Sequence, residues 1–153
     1  MSAPAAGYSG TPLPRKLGIA AGHRVLLVAA PDHFDLGPLP DGVTVVTMRT
    51  PGNASRRARP PFDVVLDFCA DRAALLATFA PLLDRLAPAS ALWVAWPKKA
   101  SGVRTDLDDN VVREHGLAVG LVDVKVAAVD AVWSGLKFVY RLSDRAKVSS
   151  THA

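Results

Sequence analysis

The sequence predicts a three-layer α/β domain built on a mainly parallel sheet and ended by a C-terminal antiparallel hairpin. Three observations carry that expectation. The runs Val25 to Ala29 and Ala91 to Trp96 are continuously apolar rather than alternating, as expected of strands covered on both faces, the usual state of parallel strands. Helical patterns follow two of the later β-rich runs, one from Asp71 and one from near Thr105, which supplies the crossover segments that parallel pairing needs. The last two β-rich runs, Val122 to Val129 and Leu136 to Leu142, are separated by a short turn, which favours a hairpin.

Residues 1–11 mix Ala, Pro, Gly and Ser without a charge and read as an N-terminal arm. A single domain is expected over 12–142, followed by a polar tail at 143–153. A short helix over 14–18 has Thr11 as a plausible cap and Gly18 as its stop. After the first strand, PDHFDLGPLP at 31–40 has room for a helical turn or two at most. Val43 to Met48 is the second strand. The stretch 49–61 holds four arginines and no acid and reads as an exposed loop. Val64 to Phe68 is the third strand, and Asp71 then caps a helix with an apolar stripe at Leu75, Phe79, Leu82, Leu83 and Leu86. Pro81 is expected to kink or split that helix, and Pro88 to close it. Thr105 with Asp108 resembles a capping box for the next helix, Gly116 its stop, and Val111, Val112 and Leu117 its inward face. The final turn is expected around Asp130, Ser134 and Gly135.

Half of the 153 residues are hydrophobic and 21% are charged, which fits one packed domain and excludes a chain disordered throughout. Eighteen Lys and Arg against fourteen Asp and Glu give a net +4, a balance that suits anionic partners. The lone Cys69 sits in apolar VVLDFCA and reads as a buried, reduced thiol. With no apolar run near the ~20 residues of a membrane span and no leader-like start, a cytoplasmic protein with no membrane association is expected.

The richest functional signal is WVAWPKKASGVRTDL, residues 93–107, where an apolar strand breaks into a cationic loop. In open α/β sheets ligands bind beyond the carboxyl ends of the strands. Lys98, Lys99, Ser101 and Gly102, with Arg104 beyond them, are therefore the candidate ligand-binding residues, two ammonium groups and a hydroxyl ahead of a helix N-terminus. The loop lacks the glycine spacing of a P-loop. Trp133 joins the set if the hairpin folds back beside the loop, where it would stack on a planar ligand or cover the sheet end. Asp32, His33 and Asp35 after the first strand are the best acid/base cluster, with a polar turn as the alternative. Arg49, Arg56, Arg57 and Arg59 lack an aromatic platform or a recognition helix, so a solvated loop is favoured over nucleic acid. His23, His33, His115 and His152 are scattered, and no zinc spacing or metal site is evident.

Two resemblances follow from these residues. LGIAAGHRVLLVAAP at 17–31 and the final hairpin resemble Rossmann-like methyltransferases. That family has a glycine-rich turn after its first strand and an acidic ribose ligand at the end of its second; here Ala29, Ala30, Pro31 and Asp32 form the turn and Met48 and Arg49 end the second strand. Glycine permits close backbone approach and a carboxylate accepts ribose hydrogen bonds, so no cofactor is implied. GYSGTPLPRKLGI at 7–19, LWVAWPKKASGVRTDL at 92–107 and GLVDVKVAAVDAVWSGLKFVYR at 120–141 more closely resemble a family of small actinobacterial proteins, the domain-of-unknown-function 3052 family. That resemblance implies one cytoplasmic domain and no particular chemistry.

The functional expectation is a noncatalytic, Rossmann-like binding or interaction domain that engages an anionic small molecule or a protein partner through the 97–102 loop. Two alternatives stand beside it. One is a divergent enzyme of methyltransferase-like fold without the usual adenosylmethionine motif, marked by Asp32 or His33 converging with Lys98 in a closed pocket. The other is a self-associating structural subunit, a homodimer pairing through an exposed hairpin edge.

Overall fold

A computed structural model describes residues 11–50 and 61–144. Its strands are β1 (Arg24–Val28), β2 (Thr44–Met48), β3 (Phe62–Phe68), β4 (Leu86–Pro97), β5 (Leu121–Ala128) and β6 (Trp133–Tyr140), and its helices are α1 (Leu13–Leu17), α2 (Arg72–Leu83) and α3 (Asp109–Ala118). The strands form one six-stranded sheet in the order β2-β1-β3-β4-β6-β5. The first four pair in parallel, while β6 runs antiparallel to both β4 and β5. The predicted fold class is the one found. The N-terminal arm up to residue 10, the arginine-rich loop at 51–60 and the tail from 145 lie outside the described residues.

Each central strand serves two cores, which is why its sequence does not alternate. Leu26, Val28, Val65, Leu92, Val94, Leu136 and Phe138 face α2 and α3, packing on Leu75, Phe79, Leu82 and Val112. Val25, Leu27, Val64, Leu66, Phe68 and Trp93 face α1, packing on Leu17, Ile19 and Leu36. The layer over the second face is thin. Residues 29–43, which cross from β1 to its parallel neighbour β2, contain no helix, as the Pro- and Gly-rich sequence there predicts.

Several local expectations are corrected. Pro12, not Thr11, stands at the start of α1, with no side-chain cap, although Gly18 ends the helix in the left-handed conformation as expected. Pro81 lies in the last turn of α2 without dividing it. Pro88 belongs to β4. There the register with β3 shifts between Phe62 and Val64, so the missing proline amide costs no ladder bond. The Ser90 hydroxyl bridges the gap, accepting from the Ala87 amide at 2.7 Å and donating to Phe62 O at 2.6 Å.

The cap of α3 is Asp108, whose carboxylate accepts from the Val111 amide at 2.8 Å. Thr105 instead donates to Ala70 O at 2.8 Å and accepts from the Leu107 amide. Gly116 is not a stop but lies buried inside α3, because a Cβ there would come within 2.1 Å of the Phe138 ring. Leu117 points outward, and Val112 carries the inward face. Ser134 and Gly135 belong to β6 rather than to the turn.

Candidate functional site

The strand order reverses about β1, since β2 lies on one side and β3 on the other. This is the topological switch point of the sheet, the place where open α/β folds keep their ligands. β5 runs in the same direction as β4, through antiparallel β6, so the 129–132 turn rises at the same carboxyl end as the exits of β1, β3 and β4.

At that end the chain leaves β1 through Ala29, whose φ of +57° is the only left-handed value at a non-glycine among the described residues. Its amide bonds to Met48 O at 2.8 Å. Left-handed backbone costs a residue with a Cβ about 1–2 kcal/mol, so the turn is kept at an energetic cost. Beyond it, Phe34 meets Phe68 edge to face at 4.8 Å, and Phe68 meets Trp133 in the same way at 5.1 Å. These three rings form an aromatic floor over the ends of β3 and β6.

A cavity of about 1030 Å³ opens beside this floor, walled by three segments: the start of α1 (Thr11 to Leu13, Lys16), the connection after β1 (His33 to Pro38) and the β5–β6 turn (Val129 to Val132). Leu13, Phe34, Leu36, Val129 and Val132 make much of its wall apolar, while Lys16, His33, Asp35 and Asp130 bring polar groups to it. The two acids shape the loops: one Asp35 oxygen accepts from the Gly37 amide at 2.9 Å, and one Asp130 oxygen accepts from the Val132 and Trp133 amides, both at 2.8 Å. Lys16 Nζ reaches Ala128 O at 3.4 Å, which ties α1 to the end of β5.

The cationic loop lies next door. Pro97 pairs with Trp133, and the Lys98 amide donates to Val132 O at 2.9 Å, so the hairpin folds back beside the loop. The Ser101 hydroxyl is used within it, donating to Lys98 O at 2.6 Å and accepting from the Val103 amide at 3.1 Å. Gly102 follows in a left-handed conformation at φ 78°. Lys99, Gly102 and Arg104 are exposed and Lys98 half-buried. α3 does not start at this loop; Asp108 caps it and its first turn carries Asp109. The structure therefore brings Lys98 and Trp133 together, sets Trp133 against Phe68, and leaves Lys99 and Arg104 at the surface. His33 and Asp35 line the cavity; Lys98 borders it through Val132. Sequence reasoning missed Lys16, Leu36 and Val129 as neighbours because the three walls are far apart in the chain.

A second cluster lies beneath, on the α2 side of β3. Asp67 is fully buried, accepting from Thr78 Oγ1 and from Cys69 Sγ at 3.3 Å, while its Oδ1 has no partner. Burial outweighs both hydrogen bonds and raises its pKa to about 6. Burial, reinforced by the Asp67 charge, pushes the Cys69 thiol upward, which makes it an inert donor rather than a nucleophile. Among the described residues no group of three or more His, Cys, Asp and Glu could hold a metal ion, and no helix is long and apolar enough to cross a membrane.

No family model and no curated protein match the sequence. Solved structures do. A TehB-like SAM-dependent methyltransferase from Corynebacterium glutamicum aligns with a TM-score of 0.54 at 12% identity, over 90% of this chain and 91% of that one. The DhpI–SAH complex aligns at 0.52 with 15% identity, over 86% and 83% of the two chains. An rRNA methylase from Streptococcus thermophilus aligns at 0.51 with 10% identity, over 87% and 99%. The chain thus has a Rossmann-like fold of the methyltransferase type, a likeness of fold alone.

The residues at the switch point do not fit adenosylmethionine held in the family's manner. Ala29 and Ala30 stand where the family has glycines, no helix follows to offer its amides, and β2 ends in Met48 and exposed Arg49 rather than a carboxylate. The Phe34 ring lies on Phe68 above the neighbouring strand end.

Proposed function

We propose that this chain is a divergent protein of the methyltransferase fold that binds a small organic molecule in the carboxyl-end cavity. The observation that carries the reading is the cavity itself, about 1030 Å³, at the upper end of the ~300–1,000 Å³ scale of ligand pockets and mostly apolar with a few convergent polar groups. An apolar body would lie against Leu13, Phe34 and Leu36, and an anionic group would face Lys16. Lys98, Lys99, Ser101, Gly102, Arg104 and Trp133 would form the rim beside the β5–β6 turn. His33 is the residue on this wall suited to proton transfer, and the likeness of fold to methyltransferases supports the divergent-enzyme form of the reading over a purely surface-binding module. Adenosylmethionine in the usual crevice is not part of it.

Native mass spectrometry and thermal-shift screening of hydrophobic carboxylates, phosphorylated metabolites, adenosylmethionine and S-adenosylhomocysteine test this. A true ligand at 100 times its Kd adds about 2.7 kcal/mol. The expected hit is an amphipathic anion, lost in Leu36→Arg and weakened in Lys16→Met. A hit that survives Leu36→Arg but disappears in Lys98→Ala/Lys99→Ala moves the site to the open loop. Tight adenosylmethionine binding would overturn the crevice argument.

A second reading, self-association, is favoured by one observation. β5 is an edge strand whose Val124 and Val126 are 52% and 49% exposed, and such an edge is prone to pair. Light scattering that shows only monomers at high concentration removes it.

A further inference from the structure

Trp93, Lys137 and Lys125 stand in register across β4, β6 and β5 on the α1 face. Like charges directly opposite each other on antiparallel strands are destabilising. The pair exists because β5 shifts register between Asp123 and Lys125, one extra residue that places Lys125 rather than Val124 opposite Lys137 and leaves Val124 half exposed. Bulges of this kind re-aim side chains and recur beside functional sites.

Among the described residues neither ammonium has a carboxylate partner within ion-pair distance. Lys125 Nζ lies 6.0 Å from the centre of the Trp93 ring. Lys137 is partly buried beside Gly18 at the end of α1, where a glycine Cβ would sit 3.8 Å from its Nζ. Burial, and then the Lys125 charge, lower its pKa. Lys137 also lines a recess of about 220 Å³ with Gly18, His23, Asp63 and Ser90. His23 Nδ1 accepts from the Ala20 amide at 3.0 Å, which fixes the proton on Nε2 and makes that atom a donor. Asp63, the carboxylate at the recess, has one oxygen held by the Arg24 amide at 2.8 Å.

We propose that Lys125 and Lys137, beside Trp93 and the recess at the end of α1, form a binding site for a small oxyanion, a phosphate or carboxylate group. The anion would convert a like-charge pair into a bridged one, and a partly buried ammonium without an acceptor would gain charge-assisted hydrogen bonds. This site lies away from the carboxyl-end cavity and does not depend on it.

The test is calorimetric and thermal titration of the full chain with inorganic phosphate against chloride at matched ionic strength. Saturable binding is expected, with a rise in Tm beyond that given by chloride and an upward shift of the Lys137 pKa by side-chain NMR. Lys137→Met and Lys125→Met should each weaken phosphate affinity about ten-fold, while Arg72→Ala, at the exposed start of α2 over the other face of the sheet, leaves it unchanged. A phosphate monoester that binds more tightly than inorganic phosphate identifies the group as part of a larger ligand, and equal affinity identifies the free ion; both support the site. Without phosphate, Lys125→Met should raise Tm by removing the repulsion. A lowered Tm in that variant, phosphate no better than chloride, or affinity retained in the double methionine variant overturns the proposal.

Discussion

On one face of the sheet, α2 and α3 begin on aspartate caps and close their core with Phe79, Leu82 and Val112. On the other, α1 spans five residues and the rest of the cover is irregular chain from 29–43 and 129–132. The sheet offers both sides the same kind of apolar surface. A helix satisfies its own backbone and can be seated flush, whereas irregular chain must spend side chains such as Asp35 and Asp130 on its own amides. The large cavity lies where the cover is irregular. The difference teaches that seated helices close the α2–α3 face, while the irregular cover of the α1 face leaves the space in which the proposed ligand would lie.

The largest expected effect lies on the helical face and is a dependence on pH. A buried acid whose pKa is raised in the folded state stabilises fully below the unfolded value, and that contribution is lost as pH rises through the folded value. For Asp67 the interval runs from 3.8 to about 6, which corresponds to about 3 kcal/mol. Urea denaturation between pH 4 and 7 should show the wild type losing about that much relative to Asp67→Asn, with the difference constant above pH 7. A flat difference would mean that water or a counter-ion reaches the orphan Oδ1.

Next comes Gly116→Ala in α3. The added methyl meets a ring that is fully buried between α3 and the sheet, and overpacking outweighs the gain in helix propensity, for a net loss of about 2 kcal/mol. The contrast on the α1 face is Gly37→Ala, where nothing lies within 4 Å but φ is +83°. About 1 kcal/mol is expected there, from backbone strain alone. Chemical denaturation of both variants checks the pair, and equal losses would erase the distinction between a packed face and a loose one.

The same contrast explains what could be read from the sequence. The strands were legible because burial on two faces writes continuous apolar runs, as in VLLVA and ALWVAW, and the Asp71 cap because its partner, the Ala74 amide, is three residues away. Gly116 was misread because its reason is Phe138 on another element, and Thr105 because its partner is Ala70 O, 35 residues off. Pro88 reads as a terminator in the sequence because the register shift that tolerates it belongs to the pairing with β3. The acid and histidine after β1 were noticed as chemistry, yet the cavity they line needs α1 and the 129–132 turn, and no local pattern joins those segments. Lys98 drew attention as charge, but its fixed structural role is a backbone bond to Val132.

The most local effect tests how firmly the loose face is tied down. Trp93 is fully buried, and its indole Nε1 donates to Leu17 O at 3.1 Å, a bond from the middle of β4 to the last residue of α1. Trp93→Phe removes that donor and some ring volume, and a neutral hydrogen bond of this kind contributes about 1 kcal/mol. Its effect should be local: amide hydrogen exchange of α1 should accelerate about five-fold or more, while exchange in α2 and α3 changes little. Because α1 is one wall of the cavity, any ligand found there should bind the variant more weakly in proportion to that loosening. Uniform acceleration across all three helices would instead show that the α1 face is as much a part of the cooperative core as the other, and that the cavity is held open by the whole fold rather than by one tether.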